Sequence, residues 1–390
     1  MQLGNLPSVG ARDLRIDWLR GLAMTCVIVN HSKLSSPLSW FSYERLWVVT
    51  AAEVFVILSG IVLGMVYRRR LDRHGWAVVL RGLVRRATFL YSTFLAVTMS
   101  ILVLAASGID VRAVSPSAEH ATPWFFAPQM MDAAAWRDVL LMRSGPWAFE
   151  IIGLYVWLVA AAVPCFAILR WAGWRALLGA SWTLYLWYRL APHAVTNAGF
   201  ELTFPLLAWQ LLFVHGIAVG YYRDRIGEAA ERTPKWLAGA AVVGLSGFAM
   251  FAFCNPWMDG PSWLRLRLIS DDRFTYVYGH FFMLKELGAA RLVNLGVGLP
   301  VGYAALTRCW SLTRPLHSLF ITLGQQSLGA FVLHVYAVLL LAYLPIPGDV
   351  LTNTLIQAAI VVGIAVALSA IQRLRGWQRP SASLSAQAIA

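Results

Sequence analysis

Four ionisable side chains fall inside long apolar runs: Arg20, His31, Glu53 and His334. Placing such a group in hydrocarbon costs several kcal/mol, so each is expected to face a partner or a wet cavity. Arg20 and His31 share the run LRIDWLRGLAMTCVIVNH. On a helix their eleven-residue spacing is about 16 Å of rise and close to three turns, which puts both on nearly one face. His31 has the chemistry of a general base toward a hydroxyl. Arg20 suits an anion or, equally, a snorkelling position at the membrane edge. Glu53 enters the second run, WVVTAAEVFVILSGIVLGMVY, at about the depth of His31. A carboxylate there would fix the imidazole tautomer and keep it basic; a helix-tying role is the alternative for Glu53. His334 suits a substrate contact or a satisfied bundle histidine. Asp17, Ser59, Glu150, Arg189 and Gln210 are weaker candidates for contacting substrate in the same cavity. Ser59 has no elbow or oxyanion context that would make it a nucleophile, and the Gly60–Gly64 spacing beside it reads as close helix packing.

The elements that must hold these residues are membrane helices. Of 390 residues 59% are hydrophobic and 13% charged, against roughly a quarter charged in a soluble domain. Apolar runs recur near 16–34, 47–67, 87–107, 147–169, 175–191, 204–222, 236–254, 289–307, 323–343 and 351–371, each close to the length that crosses a bilayer. The expectation is an all-α, polytopic integral membrane protein of about ten transmembrane helices, one domain over residues 1–375 and a short disordered tail over 376–390. The first run contains His31, lacks an A-x-A-type site and leads straight into the second, so it reads as a retained helix rather than a cleaved signal.

A net charge of +13 would suggest nucleic acid in a soluble chain, but its placement is topological. Arg12, Arg15 and Arg20, the seven arginines of residues 68–86, and Arg373, Arg375 and Arg379 all fall on one side of the alternating runs. The positive-inside rule then puts both termini in the cytoplasm, with no nucleic-acid partner expected. Residues 74–86 resemble an amphipathic surface helix, and Arg68, Arg69, Arg81, Arg85 and Arg86 suit anionic headgroups or an anionic ligand. The outer segments 108–146 and 255–288 suit an acceptor-facing surface or an interfacial aromatic belt. Cys26, Cys165, Cys254 and Cys309 have neither CxxC nor Cys/His spacing, so neither a disulfide nor a metal site is expected.

These residues resemble the acyltransferase family 3 superfamily and, more specifically, the OpgC-type glucan succinyltransferases. The resemblance rests on Arg20-x10-His31, on EVFVILSG (Glu53, Phe55, Ser59, Gly60), on the Arg85–Arg86 pair, on GQQSLGAFVLH (Gly324 to His334) and on PLLAWQLLFVHGIAVG (Pro205 to Gly220). Asn30 departs from it, standing where related chains often have Asp, and the outer segments match poorly. The resemblance implies an inner-membrane O-acyltransferase moving an acyl group, succinyl by default, from cytoplasmic acyl-CoA to a hydroxyl of a periplasmic glucan. His31, Glu53 and Asn30 would form the catalytic group, and Arg68, Arg69, Arg81, Arg85 and Arg86 the donor site. Acyl-CoA, a glycan and membrane lipid are the implied partners, with a homo-oligomer left open. The alternative is a transporter or flippase for a glycan or small anion, since intramembrane Arg, His and Glu also build relays; no inverted repeat or paired broken helices support it.

Overall fold

The computed structural model describes residues 8–9, 12–42, 44, 48–115, 131–258 and 260–377. Positions 378–390 of the expected tail and 116–130 of the first outer segment lie outside the described residues. Helices occupy all ten apolar runs: α1 (Leu14–His31), α2 (Ala51–Ala106), α3 (Ile151–Trp171), α4 (Gly173–Leu190), α5 (Leu206–Tyr221), α6 (Lys235–Phe253), α7 (Ala289–Arg308), α8 (His317–Gln325), α9 (Ser327–Leu341) and α10 (Val350–Trp377). A two-residue antiparallel pairing of Ser8–Val9 with Arg12–Asp13 precedes them. Among the described residues, five helices are long and apolar enough to cross a membrane, six if the α8–α9 pair, bent by 91°, forms one span. The all-α, membrane-spanning character is as the sequence implies, while this criterion gives a smaller number than ten. Two runs merge in the 56 residues of α2, α1 carries Arg15, Asp17 and Arg20, and α5 is only 16 residues long.

Gly75 breaks α2 with φ 73° and ψ −173°, a conformation in which a β-carbon is strained. The two limbs fold back on each other there: a β-carbon on Gly82 would lie 3.1 Å from the Tyr67 ring and 3.3 Å from Arg70 Nη1. This turn brings the second limb, with Arg81, Arg85 and Arg86, beside the first. The first limb also packs on α5 through matched small residues. A β-carbon on Gly60 or Gly64 would overlap the carbonyl oxygen of Phe213 or Ile217, and one on Gly216 or Gly220 that of Ile57 or Ile61. Within lipid, where water expels nothing, such backbone-to-backbone approach maximises dispersion contact. Gly21 of α1 and Gly324 of α8 cross in the same way, over the carbonyls of Phe320 and Asp17. Phe94, Phe149, Phe166, Phe213 and Phe331 fill the core between α2, α3, α5 and α9.

The N-terminal end of α1 is pinned by Asp13. Its carboxylate caps the helix at Arg15 N (3.0 Å), takes bonds from Arg15 Nε (2.9 Å) and Nη2 (2.8 Å) and from Tyr303 Oη (2.6 Å), and pairs with Arg223. Burial raises this carboxyl, but the bonds from Arg15 and Tyr303 and the charges of Arg15 and Arg223 outweigh it and hold it below its ordinary 3.8. A depressed carboxyl stabilises the fold above its unfolded value, and that contribution disappears as pH falls through the folded one. Asp13→Asn is therefore expected to lower the Tm of the detergent-solubilised protein at pH 7. The gap from the native chain should narrow as pH drops below 3.8; a constant gap across the titration would show that charge at Asp13 is not what joins these helices.

Candidate active site

The α1 face carrying Arg20 and His31 runs beside the start of α9. Arg20 Nη2 donates to Ser327 Oγ at 2.7 Å, and its guanidinium lies 5.2 Å from the Phe55 ring centroid. Ser327 is the first residue of α9, and Phe331 and His334 follow it at i+4 and i+7 on one stripe. Phe55 packs edge-on against Phe331 (5.2 Å) and Tyr155 (6.0 Å). At the far end of the stripe His31 Nδ1 and His334 Nε2 are 3.0 Å apart, and His334 Nδ1 is 2.6 Å from the Phe331 carbonyl oxygen. His31 also faces the Trp147 ring at 4.7 Å, and Lys33 Nζ lies over that ring at 4.9 Å. His31 is only partly buried, and its Nε2 has no protein partner among the described residues and is not enclosed.

Positive charge gathers lower on the same face. Arg86 is within electrostatic range of Arg20, Arg70, Tyr67 and Tyr155, and Arg20 and Arg86 both act on Tyr155. Asp17 is the carboxylate in range of Arg20, but it is already paired with Arg12 at 2.6 and 3.0 Å. Arg20 Nε is buried without a hydrogen-bond partner, and α9 starts beside it with no side-chain cap on its positive end. Several cations and a helix N-terminus converge here with little anionic compensation. An anion with several oxygens would supply it. Arg81, Arg85 and Arg86 are all exposed, and Arg86 differs from the other two in acting on Arg20 and Tyr155. Arg68 donates to the Tyr221 carbonyl and pairs with Asp72 at 3.7 Å. Arg69 is engaged as well.

Several expected contacts are redirected. Glu53 does not hold His31: it turns back on its own helix, accepting from Thr50 N (2.6 Å) and Thr50 Oγ1 (3.0 Å), and takes Arg291 Nη1 at 2.9 Å. Asn30 does not orient the imidazole either, because Ser42 occupies its side chain, through Oγ to Oδ1 at 2.5 Å and its carbonyl to Nδ2 at 3.4 Å. Both nitrogens of fully buried His334 are engaged, so it has no free atom for substrate. Asp17 joins α1 to α8 through Gln325 (3.3 Å) as well as pairing with Arg12. Ser59 is buried at 3.5 Å from Tyr155 Oη. Gln210 ties α5 to α4 through Ser181 (2.8 and 2.9 Å), and Arg189 pairs with Glu286. Glu150 is partly accessible, one turn beyond Trp147, and its carboxylate has no hydrogen bond among the described residues.

The sequence reading passed over Arg291, Ser327, Tyr155 and Trp147. Arg291 is the most telling omission, since it lies inside an apolar run as Arg20 does. It is fully buried, with Nη2 shared between Glu44 and Tyr278 Oη (3.3 Å), Nη1 on Glu53 and Nε on the Phe282 carbonyl (2.8 Å). Ser327 lies within the quoted GQQSLGAFVLH, and its role depends on a bend that spacing does not reveal.

In comparison with known proteins, the family described as OpgC protein matches residues 12–379. No curated protein and no solved structure matches the chain.

The arginine cluster generates a test that separates architecture from chemistry. Arg291→Leu leaves Glu44 and Glu53 facing each other in a dry site, and breaking a buried pair typically costs about 3–5 kcal/mol. A large fall in Tm and in yield of folded protein is expected. Glu53→Gln should be milder and should leave the pH profile of any His31-dependent activity unmoved. A displaced profile with an unchanged Tm would return Glu53 to the surroundings of His31.

Proposed function

The chain belongs to the OpgC family, and from that premise we propose that it is an inner-membrane O-acyltransferase that modifies a periplasmic glucan. In this reading ten helices cross the membrane with both termini cytoplasmic, as the arginine distribution favours. The donor is a cytoplasmic acyl-CoA, succinyl-CoA in our assignment, and the acceptor is a glucan hydroxyl on the other side. The observation that carries the proposal is an undercompensated cation cluster around Arg20 at one end of a helix face and, about 16 Å away, a partly buried His31 whose Nε2 has no protein partner among the described residues. A donor with phosphates at one end of a long arm and a thioester at the other fits that separation.

Arg86, Arg70 and Arg20 would bind the anionic end of the donor by charge-assisted hydrogen bonds. The arm would pass Tyr155 and Phe55 and bring the thioester carbonyl beside His31. His31 Nε2 takes the proton from the acceptor hydroxyl as its oxygen attacks the carbonyl carbon. The tetrahedral adduct then collapses: the C–S bond breaks, an ester forms, and the proton on Nε2 goes to the leaving sulfur, giving the CoA thiol. The imidazole ends as it began. Trp147 and Lys33 form the wall beside the base, toward the side from which a glycan would come.

The test is incubation of purified protein with labelled acyl-CoA and glucan, scoring free CoA thiol and covalent label together. Both should appear in the native chain, and His31→Ala should lower kcat by about 10²–10⁴-fold. Arg86→Ala should raise the KM for acyl-CoA about tenfold, the worth of one charge-assisted contact of about 1.5 kcal/mol, with kcat nearly unchanged. Arg85→Ala, which is not among the charges acting on Arg20 or Tyr155, should do less. Movement of glycan across vesicles without covalent label would establish transport instead, and full transfer by His31→Ala would end the general-base assignment.

A further inference from the structure

Two contacts on α9 determine which nitrogen of His31 bears its proton. A carbonyl oxygen only accepts, so the 2.6 Å contact between His334 Nδ1 and the Phe331 carbonyl places a proton on His334 Nδ1. A neutral His334 then has a lone pair on Nε2. The 3.0 Å contact with His31 Nδ1 must be donated from the His31 side. The neutral His31 consequently carries its proton on Nδ1 and a lone pair on Nε2, the atom without a protein partner among the described residues.

We propose that His334 is the positioning residue of the site, a buried neutral imidazole that holds His31 in the Nδ1–H tautomer and leaves its Nε2 lone pair free to act as the base. In the hydrolase triad a carboxylate accepts from the other ring nitrogen of the base. Here the acceptor is a second imidazole, and no carboxylate touches either ring among the described residues; the cation nearby on α1's side is Lys33, held over Trp147. The arrangement also accommodates the proton during reaction. When Nε2 of His31 takes the hydroxyl proton, its Nδ1–H can be shared with His334 Nε2, and the Phe331 carbonyl continues to accept from His334 Nδ1. Charge is then spread over two rings, with every N–H along the chain partnered. On return of the Nε2 proton to the leaving sulfur, the shared proton settles back on His31 Nδ1.

The local sequence builds this support. His334 Nδ1 reaches the carbonyl three residues back in its own helix, which fixes the ring before any tertiary contact forms. Phe331 packs against the same ring at 5.6 Å, and α9 is anchored at its start by Arg20 through Ser327.

The proposal rests on the acyl-transfer reading for its kinetic arm only, so a second arm reads the tautomer directly. In the full chain with 15N-labelled histidine, in nanodiscs, the His31 signal, assigned by its loss in His31→Ala, should show a protonated Nδ1 and a bare Nε2. In His334→Leu that preference should be lost. A native His31 protonated on Nε2 would overturn the proposal whatever the activity. In the kinetic arm, His334→Ala should lower kcat by at least about 10²-fold while the KM for acyl-CoA stays within about twofold, because His334 touches no substrate. His334→Gln can place its amide oxygen where Nε2 stood and accept from His31, so it should recover activity to within about tenfold of native. Equal loss in the Ala and Gln variants, or full kcat in His334→Ala while His31→Ala is inactive, would remove His334 from this role. Absence of acyl transfer in the native chain would overturn the enzyme reading alone and leave the tautomer to the spectrum.

Discussion

A guanidinium inside a hydrocarbon slab must be compensated by a counter-charge, by hydrogen bonds or by water, and this structure solves the problem in two opposite ways. Arg291 is enclosed and fully occupied by Glu44, Glu53, Tyr278 and a backbone carbonyl. Arg20 has one serine hydroxyl, an aromatic face and an unpartnered Nε. A charge satisfied on every side holds helices together and has nothing left for a ligand. A charge left short, next to further cations, stores unfavourable electrostatic energy that an incoming anion relieves. The difference in compensation, rather than mere presence in an apolar run, separates the architectural arginine from the candidate binding one.

Much of this was visible in the residues. The ten apolar runs each became helix, because the period and length of such runs leave the backbone no other way to satisfy its hydrogen bonds in lipid. Gly60 and Gly64 pack closely as their spacing implies, and the partner surface, Gly216 and Gly220, carries the same spacing on α5. Arg20 and His31 do lie along one stripe, since eleven residues of unbroken helix fix their relative phase. What failed was pairing. Glu53 and His31 share a depth, but depth says nothing about azimuth, and a glutamate three residues after a helix-starting threonine has a local bond available that a distant imidazole must beat. Asn30 was lost to Ser42 by the same kind of local competition. The true partner of His31 is 303 positions away, and its meeting depends on the bend at Gln326 that sends α9 up beside α1.

That bend connects the two ends of the site. α8 crosses α1 at the backbone, Gly324 over Asp17 and Gly21 under Phe320, and the chain turns through 91° between α8 and α9. The turn brings the first residue of α9 to Arg20 and, two turns later, His334 to His31. Tying both polar contacts to one rigid stripe means that the cation region and the base cannot shift independently, because a helix transmits displacement along its axis. Holding functional groups on packed helices rather than on loops is the arrangement that keeps reacting atoms within the narrow tolerance group transfer requires.

In the proposed site, a histidine in place of an aspartate as the partner of His31 follows from the same cost of charge. A carboxylate beside His31 would have to be kept ionised in a low-dielectric site, needing a cation of its own, as Glu53 needs Arg291. A neutral imidazole fixes a tautomer without importing any charge into the resting site, and the single charge present during reaction is the one the chemistry creates. In the proposed reaction, a base so partnered suits an acceptor whose attack is concerted with proton transfer onto an already activated thioester, where the departing sulfur needs that proton back within the same turnover.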